Sequence, residues 1–410
     1  MHIAFFSDQH PATLGGLQVS LGLQRKYLES AGHRVTICAP NSRVQPSPMH
    51  SRPSDVLLRS VQVGDHAFCL AGPAHDRAVD QGFSALPPVD VVHVQADVWG
   101  AWNGYRFARR HGIPVVHTMH TNVELGLPAA VPFARLAFQL LFKMQEKLMG
   151  GDRVWDIASY VRSFAAAADR VVVPSAHFAR DLEGYGVQVP LHVIPTGVDD
   201  ELIDAIPRRC ARSNGPQVLL WAGRISEEKR LHEVIEALAL EDTPTELHVY
   251  GSGRDEHRCR DLSVSLGIAN RVRFFGPVSH SEVIDAMREA DAVLQSSLGF
   301  ETQGLTVYEA ISVGTPVLVR DPDVADDLPS AWVTKTRDSS IRELASAIRD
   351  LSQRLTMGLS QVLPATPVSY RQSELTRKLI ELYECAIAPQ NCSAFPGMRL
   401  TPTQEATRVA

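Results

Sequence analysis

The sequence predicts an α/β protein made of two doubly wound halves. Short, continuously apolar, β-rich runs recur along the whole chain, and helix-patterned segments separate them. A stretch rich in proline, glycine and polar residues near the middle, 194–217, divides the runs into two sets.

In the first half the runs are HIAFFS, RVTICA, DVVHV, PVVHT, RVVVPS and LHVIP. Apolar residues at consecutive positions suit parallel strands covered on both faces. Between the first two runs, Leu17, Leu21, Leu23 and Leu28 mark a helical stripe that Gly32 can end, which makes a βαβ unit. The long segment 131–170 is helical in pattern and interrupts the alternation. In the second half the runs are QVLLWAG, ELHVYG, RVRFFG, DAVLQS, PVLV and AWVT, with helices such as LHEVIEALALE and HSEVIDAMREA between them. SELTRKLIELYECAI is a final amphipathic helix, and the residues from about 389 carry no pattern.

The bulk numbers exclude several classes. A net charge of −6 argues against wholesale nucleic-acid binding. No run approaches the ~20 apolar residues of a membrane span, and MHIAFFSD reads as a first strand rather than a signal peptide. Six cysteines without CxxC or zinc spacing point to a reduced, cytoplasmic setting.

Open parallel sheets bind ligands beyond the carboxyl ends of their strands, and two such sheets facing each other would enclose a cleft. The promising motifs all fall at strand ends. SDQHPATLGGLQV sets Gly15 and Gly16 before a helix, where backbone N–H groups can approach an anion; the same pair also serves as a turn device. VVHTMHTNVE offers His117 and His120 as contacts for a sugar hydroxyl, with packed histidines or a metal pair as the other readings. WAGRISEEK offers Arg224 and Lys229 as a fork and a point charge for a diphosphate, or as surface partners of Glu227 and Glu228. Gly251 and Gly253 of VYGSG allow a tight turn near a ligand. In SSLGFETQGLTVYEAISVGTPVLV, Glu301 lies in a loop, Gly304 at a helix start and Glu309 about two turns on. Carboxylates accept paired hydrogen bonds from neighbouring hydroxyls of a ribose or hexose, whereas the plainer reading is a capped helix with an exposed glutamate. DPD at 321–323 is read as a loop, not a metal site.

On Glu301-x7-Glu309 with Gly304-Leu305 inside it, joined to GRISEEK at 223–229, residues 1–388 resemble the retaining, nucleotide-sugar-dependent glycosyltransferases of family four. That large family includes bacterial mannosyltransferases and sucrose-phosphate synthases. The resemblance implies the GT-B fold: two facing Rossmann-like domains, with a C-terminal helix crossing back to the first. The expected division is an acceptor domain at 1–195, a linker at 196–215, a nucleotide-sugar domain at 216–368, the crossover helix at 369–388 and a disordered tail at 389–410. It further implies that Arg224 and Lys229 hold the donor diphosphate, that Glu309 binds the ribose and that Glu301 contacts the donor sugar. Backbone N–H groups at Gly15, Gly16, Gly304 and Leu305 would face the donor. His120, followed by Thr121, matches the family histidine beside the sugar, with His117 as the competing assignment. His120, Arg224, Lys229 and Glu301 form the expected catalytic set. No cofactor and no metal are implied; the co-substrate is a nucleotide-diphosphate sugar, UDP-linked in preference to GDP-linked. A nucleotide-sugar 2-epimerase shares the fold and is the alternative enzyme.

Where many family members read Glu-Gly-Phe-Gly, this chain reads ETQG. With HTMHTN, that looks like the branch acting on diacylglycerol and related lipids; a soluble sugar or cyclitol acceptor is the alternative. In 131–150, Phe133, Leu136, Leu140, Leu141, Met144 and Leu148 form a stripe accompanied by Arg135, Lys143 and Lys147. Such a stripe suits either a membrane surface or a protein core. The expected location is cytoplasmic, peripheral on the inner face of the cell membrane.

Overall fold

The computed structural model describes residues 1–13, 15–42, 52–63, 66–130, 134–151, 153–205, 216–357 and 370–391. They group into two compact units, Met1–Pro195 with Thr376–Ala410, and Thr196–Leu375. Each unit is a parallel-sheet Rossmann-like domain.

The first unit contains β1 (His2–Ser7), α1 (Gly16–Ser30), β2 (Arg34–Pro40), β3 (Val56–Leu58), β4 (Val61–Val63), β5 (His66–Phe68), α2 (Pro73–Ser84), β6 (Val91–Gln95), α3 (Trp99–His111), β7 (Val115–Thr118), α4 (Val123–Ala130), α5 (Ala134–Met149), α6 (Ile157–Ala167), β8 (Arg170–Val173), α7 (Ala176–Gly184) and β9 (Leu191–Val193). The sheet order is β3-β2-β1-β6-β7-β8-β9. β1 pairs with β2 from His2–Arg34 to Phe6–Cys38, and with β6 from Ile3–Val91 to Ser7–Gln95. Strand alternation sends Ile3 and Phe5 to one apolar cluster and Ala4 and Phe6 to the other. Both faces are therefore covered, and that is why the runs read as continuously apolar. The sequence patterns missed β3 and the small antiparallel pair β4–β5, whose strands are only three residues each.

The second unit contains α8 (Asp200–Ala205), β10 (Gln217–Ala222), α9 (Leu231–Ala239), β11 (Thr245–Tyr250), α10 (Glu256–Ser265), β12 (Val272–Gly276), α11 (His280–Glu289), β13 (Ala292–Gln295), α12 (Leu305–Ser312), β14 (Val317–Val319), α13 (Pro322–Asp326), β15 (Val333–Lys335) and α14 (Ile341–Thr356). Its sheet order is β12-β11-β10-β13-β14-β15. Leu219 and Trp221 enter the cluster on one face, Val218 and Leu220 that on the other. The last helix, α15 (Gln372–Ile387), sends Leu379, Leu382, Tyr383 and Ala386 into the cluster around Ile3 and Phe5, within the first unit.

In both sheets the chain order reverses beside the first strand, at β1/β6 and at β10/β13. Those are the switch points where an open sheet leaves a crevice at its carboxyl edge.

Several expectations need adjusting. Part of the stretch read as a linker, 196–215, is the helix α8; residues 206–215 lie outside the described residues. Of the tail at 389–410, Pro389–Asn391 forms one short turn and 392–410 lie outside the described residues. The described residues of segment 131–170 hold two helices, α5 and α6, because the chain breaks at Gly150 and Gly151, both left-handed in φ, before Asp156 caps α6. Cys38, Cys69 and Cys259 are buried free thiols, but Cys385 is disulfide-bonded, which corrects the fully reduced reading at that position.

Candidate active site

In the second unit Lys229 and Glu301, two of the residues singled out by sequence, meet at the β10/β13 switch point. After β10 the chain runs through Arg224 and Ser226 into a short turn, Glu227–Lys229. Arg230 closes that turn at φ 53, the left-handed region that a residue with a Cβ occupies at a cost of ~1–2 kcal/mol. Lys229 Nζ donates to Glu301 Oε1 at 2.5 Å, and Ser297 Oγ donates to the same oxygen at 2.7 Å. Burial works to raise the Glu301 pKa, but the Lys229 charge and the bonds from Lys229, Ser297 and Gln295 outweigh it and hold the carboxyl below its usual range. Ser296 fixes the other half of the pair. Its hydroxyl donates to the Lys229 carbonyl at 2.6 Å and accepts the Trp221 indole N–H at 2.9 Å.

Glu309 lies on α12, whose N-terminus is set by Gly304 at φ 77, with Leu305 as its first residue. The helix buries Glu309 to 4% exposure, so the plain reading of an exposed helical glutamate fails. His280 Nε2 lies 2.6 Å from Glu309 Oε1, and that bond, against the opposing effect of burial, raises the His280 pKa. Arg224 is not in the cluster: its side chain is 61% exposed and reaches Glu228 at 3.4 Å, one of the surface partners its sequence allowed.

The glycines of VYGSG have a different role from the expected ligand turn. A Cβ on Gly251 would stand 2.0 Å from Gly223 O, and one on Gly253 2.2 Å from Ile225 O. The two loops also exchange backbone bonds, Gly223 N to Tyr250 O and Ile225 N to Ser252 O. These glycines let the β11 loop pack on the β10 loop. Asp321 of DPD is buried and accepts from Gly299 N and Asp323 N, so it ties down the loop before Glu301 and starts α13. Among the described residues no group of three or more His, Cys, Asp or Glu could hold a metal ion.

In the first unit, Gly15 caps α1 and Gly16 opens it; a Cβ on Gly16 would meet nothing within 4 Å. His117 and His120 separate. His117, inside β7, is fully buried, with Nε2 at 2.9 Å from Ala96 O and Nδ1 at 3.0 Å from the Tyr105 hydroxyl. Both ring nitrogens are engaged in the core, which leaves none for a sugar. His120, just past the strand, is half-buried, with Nε2 at 3.1 Å from Gln95 Oε1. Burial, aided by His117, pushes its pKa down to about 3, so the ring is neutral at physiological pH.

Sequence patterns passed over the carboxyl groups under this loop. Asp8, at the end of β1, accepts from the backbone N–H groups of Asp97, Val98 and Gly100 and so anchors the start of α3. Asp97, at the end of β6, accepts from the Thr121 hydroxyl and from the N–H groups of His120 and Thr121. Burial, with Asp8 adding, pushes Asp97 up to about 8; burial pushes Asp8 up to about 6. A carboxylate one or two residues past a strand's end was the available signal.

Comparison with known proteins agrees with this layout. Residues 14–202 match the model of Glycosyltransferase Family 4, and 203–354 that of Glycosyl transferases group 1. A D-inositol 3-phosphate glycosyltransferase of Geodermatophilus obscurus is 32% identical over 339 residues, spanning 76% of this chain and 71% of that protein. The chain is a member of glycosyltransferase family 4. An alpha-monoglucosyldiacylglycerol synthase of Streptococcus pneumoniae is 26% identical to this glycosyltransferase over 401 residues, 93% of this chain and 82% of that one. Among solved structures, HepE of Anabaena in complex with UDP superposes with a TM-score of 0.67 at 15% identity, covering 94% of this chain and all of that one. Sucrose-phosphate synthase of Thermosynechococcus elongatus gives 0.67 at 18% identity, covering 95% and 100%. These likenesses establish the GT-B fold. The chain is accordingly a glycosyltransferase.

Proposed function

We propose that this glycosyltransferase is a retaining, metal-independent hexosyltransferase that draws on a UDP-sugar and glycosylates a lipid hydroxyl. The observation that carries the donor half is the Lys229–Glu301 pair, with Ser297 beneath it and Glu309 buried behind Gly304. Lys229 and the exposed Arg224 supply cations for a diphosphate. Glu309 accepts the ribose hydroxyls, Glu301 those of the hexose, and the N–H groups at Gly304 and Leu305 face the donor phosphates; within the first unit, the N–H groups at Gly15 and Gly16 are the donor contacts of this reading. Within the first unit, His120 and Thr121 are the sugar contacts in this reading, and His117, with both ring nitrogens engaged in the core, is not.

In the reaction the bond from C1 to the leaving phosphate oxygen breaks, and one from C1 to the acceptor oxygen forms on the same face. The acceptor proton passes to the leaving phosphate. Charge grows on that phosphate in the transition state, and cations already in place stabilise it there more than in the ground state. Glu301 and Glu309 are binding groups, which separates this site from two-carboxylate glycosidases.

The lipid acceptor is supported by the outer face of α5. The sequence stripe divides there. Leu141 and Leu148 go to the core and Met144 packs beside it, while Leu136 and Leu140 stand 68% and 59% exposed. Phe133 lies outside the described residues. Arg135, Lys143 and Lys147 share the solvent side, and exposed Trp155 follows. Apolar side chains flanked by cations suit an anionic membrane surface. Among the described residues no helix is long and apolar enough to cross a membrane. The inositol phosphate glycosyltransferase relative favours a second reading, a soluble cyclitol acceptor. A 2-epimerase finds no support among the transferase relatives.

Thermal denaturation with UDP, GDP, ADP and TDP tests the donor half. UDP at a hundred times its Kd stabilises by ~2.7 kcal/mol, and Lys229→Ala and Glu309→Ala abolish that shift. Equal shifts in the variants would refute the site. Transfer from UDP-glucose to diacylglycerol in anionic vesicles, against inositol phosphate in solution, decides the acceptor.

A further inference from the structure

Beneath His120 lies a chain of buried polar groups that neither fold nor donor binding explains. Gln95, the last residue of β6, is fully buried, and its amide is held on both sides. Its Nε2 donates to Gln24 Oε1 of α1 at 2.7 Å and lies 3.4 Å from His93 Nδ1. Gln24 in turn donates to Ser20 Oγ at 3.0 Å. His93 Nδ1 is 2.6 Å from the Tyr383 hydroxyl of α15, and His93 Nε2 is 2.7 Å from Thr118 Oγ1.

With the two amides placed as they are, one direction of hydrogen bonding runs through the group. Tyr383 O–H donates to His93 Nδ1, His93 Nε2–H to Thr118, Gln95 N–H to Gln24, and Gln24 N–H to Ser20. The nitrogen end of the Gln95 amide is thereby committed, and its carbonyl oxygen is the end presented to His120. A carbonyl can only accept, so His120 must carry its proton on Nε2.

We propose that Gln95 is a positioning residue of the sugar site, which locks the His120 ring in the Nε2–H tautomer and in one orientation through an amide anchored by Gln24 and His93. The proposal rests on the reading of His120 as a sugar contact. Gln95 acts through His120 and does not itself touch the substrate. A buried amide in a closed network costs several hydrogen bonds to rearrange, so the ring is set before substrate arrives. The titratable groups around it are His93 on β6, His117 on β7, Tyr383 on α15, and Asp97 and Asp8 at the ends of β6 and β1. His93 is held well below its usual pKa by burial, so the ring beside Gln95 adds no cation.

Histidine-selective 15N NMR of the full chain is the test, with the His120 signal assigned by His120→Asn. In the wild type His120 shows the Nε2–H form and no titration between about pH 5 and 8. Gln95→Glu places a carboxylate at the ring nitrogen, and His120 then titrates within that range. Gln95→Leu removes the acceptor, and the tautomers mix. A misplaced contact costs up to about 100-fold in rate, so kcat/KM falls about 10- to 100-fold in Gln95→Leu and acquires a new pH dependence in Gln95→Glu. The UDP-induced thermal shift stays intact in both, which confirms folding. An unchanged tautomer in Gln95→Leu, or a His120 that still fails to titrate in Gln95→Glu, overturns the proposal. The expected spectra with unaltered kinetics would overturn the sugar-contact reading of His120, and with it Gln95's place in the sugar site.

Discussion

Replacing Lys229 by methionine keeps most of the side-chain volume and deletes its charge. Glu301 is left in place with Ser297 but without a cation. Charge centres about 4 Å apart at an effective dielectric of about 20 attract by ~4 kcal/mol. The Lys229 and Glu301 side chains are 25% and 15% exposed, so water screens part of that. The expected loss is therefore ~2–3 kcal/mol, below the ~3–5 kcal/mol of a fully buried pair. In a unit spanning Thr196–Leu375, that lowers Tm by about 4–10 °C. Calorimetry of the wild type, Lys229→Met, Glu301→Gln and the double variant closes a thermodynamic cycle. The double variant should lose ~1–2 kcal/mol less than the sum of the singles. The pH dependence supplies a second check. In the wild type Glu301 has a depressed folded pKa, so its contribution is complete above the unfolded value of 4.5 and is lost as pH falls through the folded value. Without Lys229, burial dominates and raises that pKa, so protonation relieves the variant. The gap between the two proteins should narrow as pH falls from the variant's raised Glu301 pKa, above 4.5, down through the wild type's lowered one. Additive singles, a loss under ~0.5 kcal/mol, or a gap that is constant with pH would refute the coupling.

Ser296→Ala strands the buried Trp221 indole N–H and frees the Lys229 carbonyl; urea unfolding should show a loss of ~1–3 kcal/mol, with weaker UDP binding. NMR titration should place His280 above 6.5, with Glu309→Gln bringing it back down. Its contribution to stability is then complete below 6.5 and fades as pH rises through the folded value. Gly251→Ala forces a Cβ against the Gly223 carbonyl at φ 122, so thermal denaturation should show a loss of at least ~3 kcal/mol even though no ligand contact is removed. Leu136→Glu with Leu140→Glu leaves Tm within about 2 °C, because both side chains are exposed, and abolishes sedimentation with anionic vesicles. Retained sedimentation would move the membrane contact elsewhere.

The strands at the centres of both sheets were legible in the sequence, since burial on both faces makes a run such as HIAFFS or QVLLWA apolar at nearly every position. Arg224, Lys229 and Glu301 in the loops after strands were legible too, because polar residues following such a run stand out, whereas Asp8 and Asp97 in equivalent places were passed over. Glycines were ambiguous: a residue that lets two backbones touch, as Gly251 and Gly253 do, looks the same in sequence as one that lets a phosphate approach. The faces of α5 were ambiguous for a related reason. A wide apolar stripe fits a core, a membrane or both, and only packing showed which side chains were already covered.

By itself, then, the sequence determined the α/β class and the two sets of strands, because both depend on local pattern; Lys229, Glu301, Glu309 and His120 stood out as candidates only when the family resemblance was added to that pattern. Tertiary structure alone decided who meets whom. Lys229 reaches Glu301 across 72 positions of chain, and His93 reaches Tyr383 across 290. It also separated His117 from His120, since one lies inside β7 and the other just past its end. Gln24 and Gln95 carry no sequence signal at all: a glutamine reads as surface until the packing around it removes the water, and only then must its amide find partners within the protein.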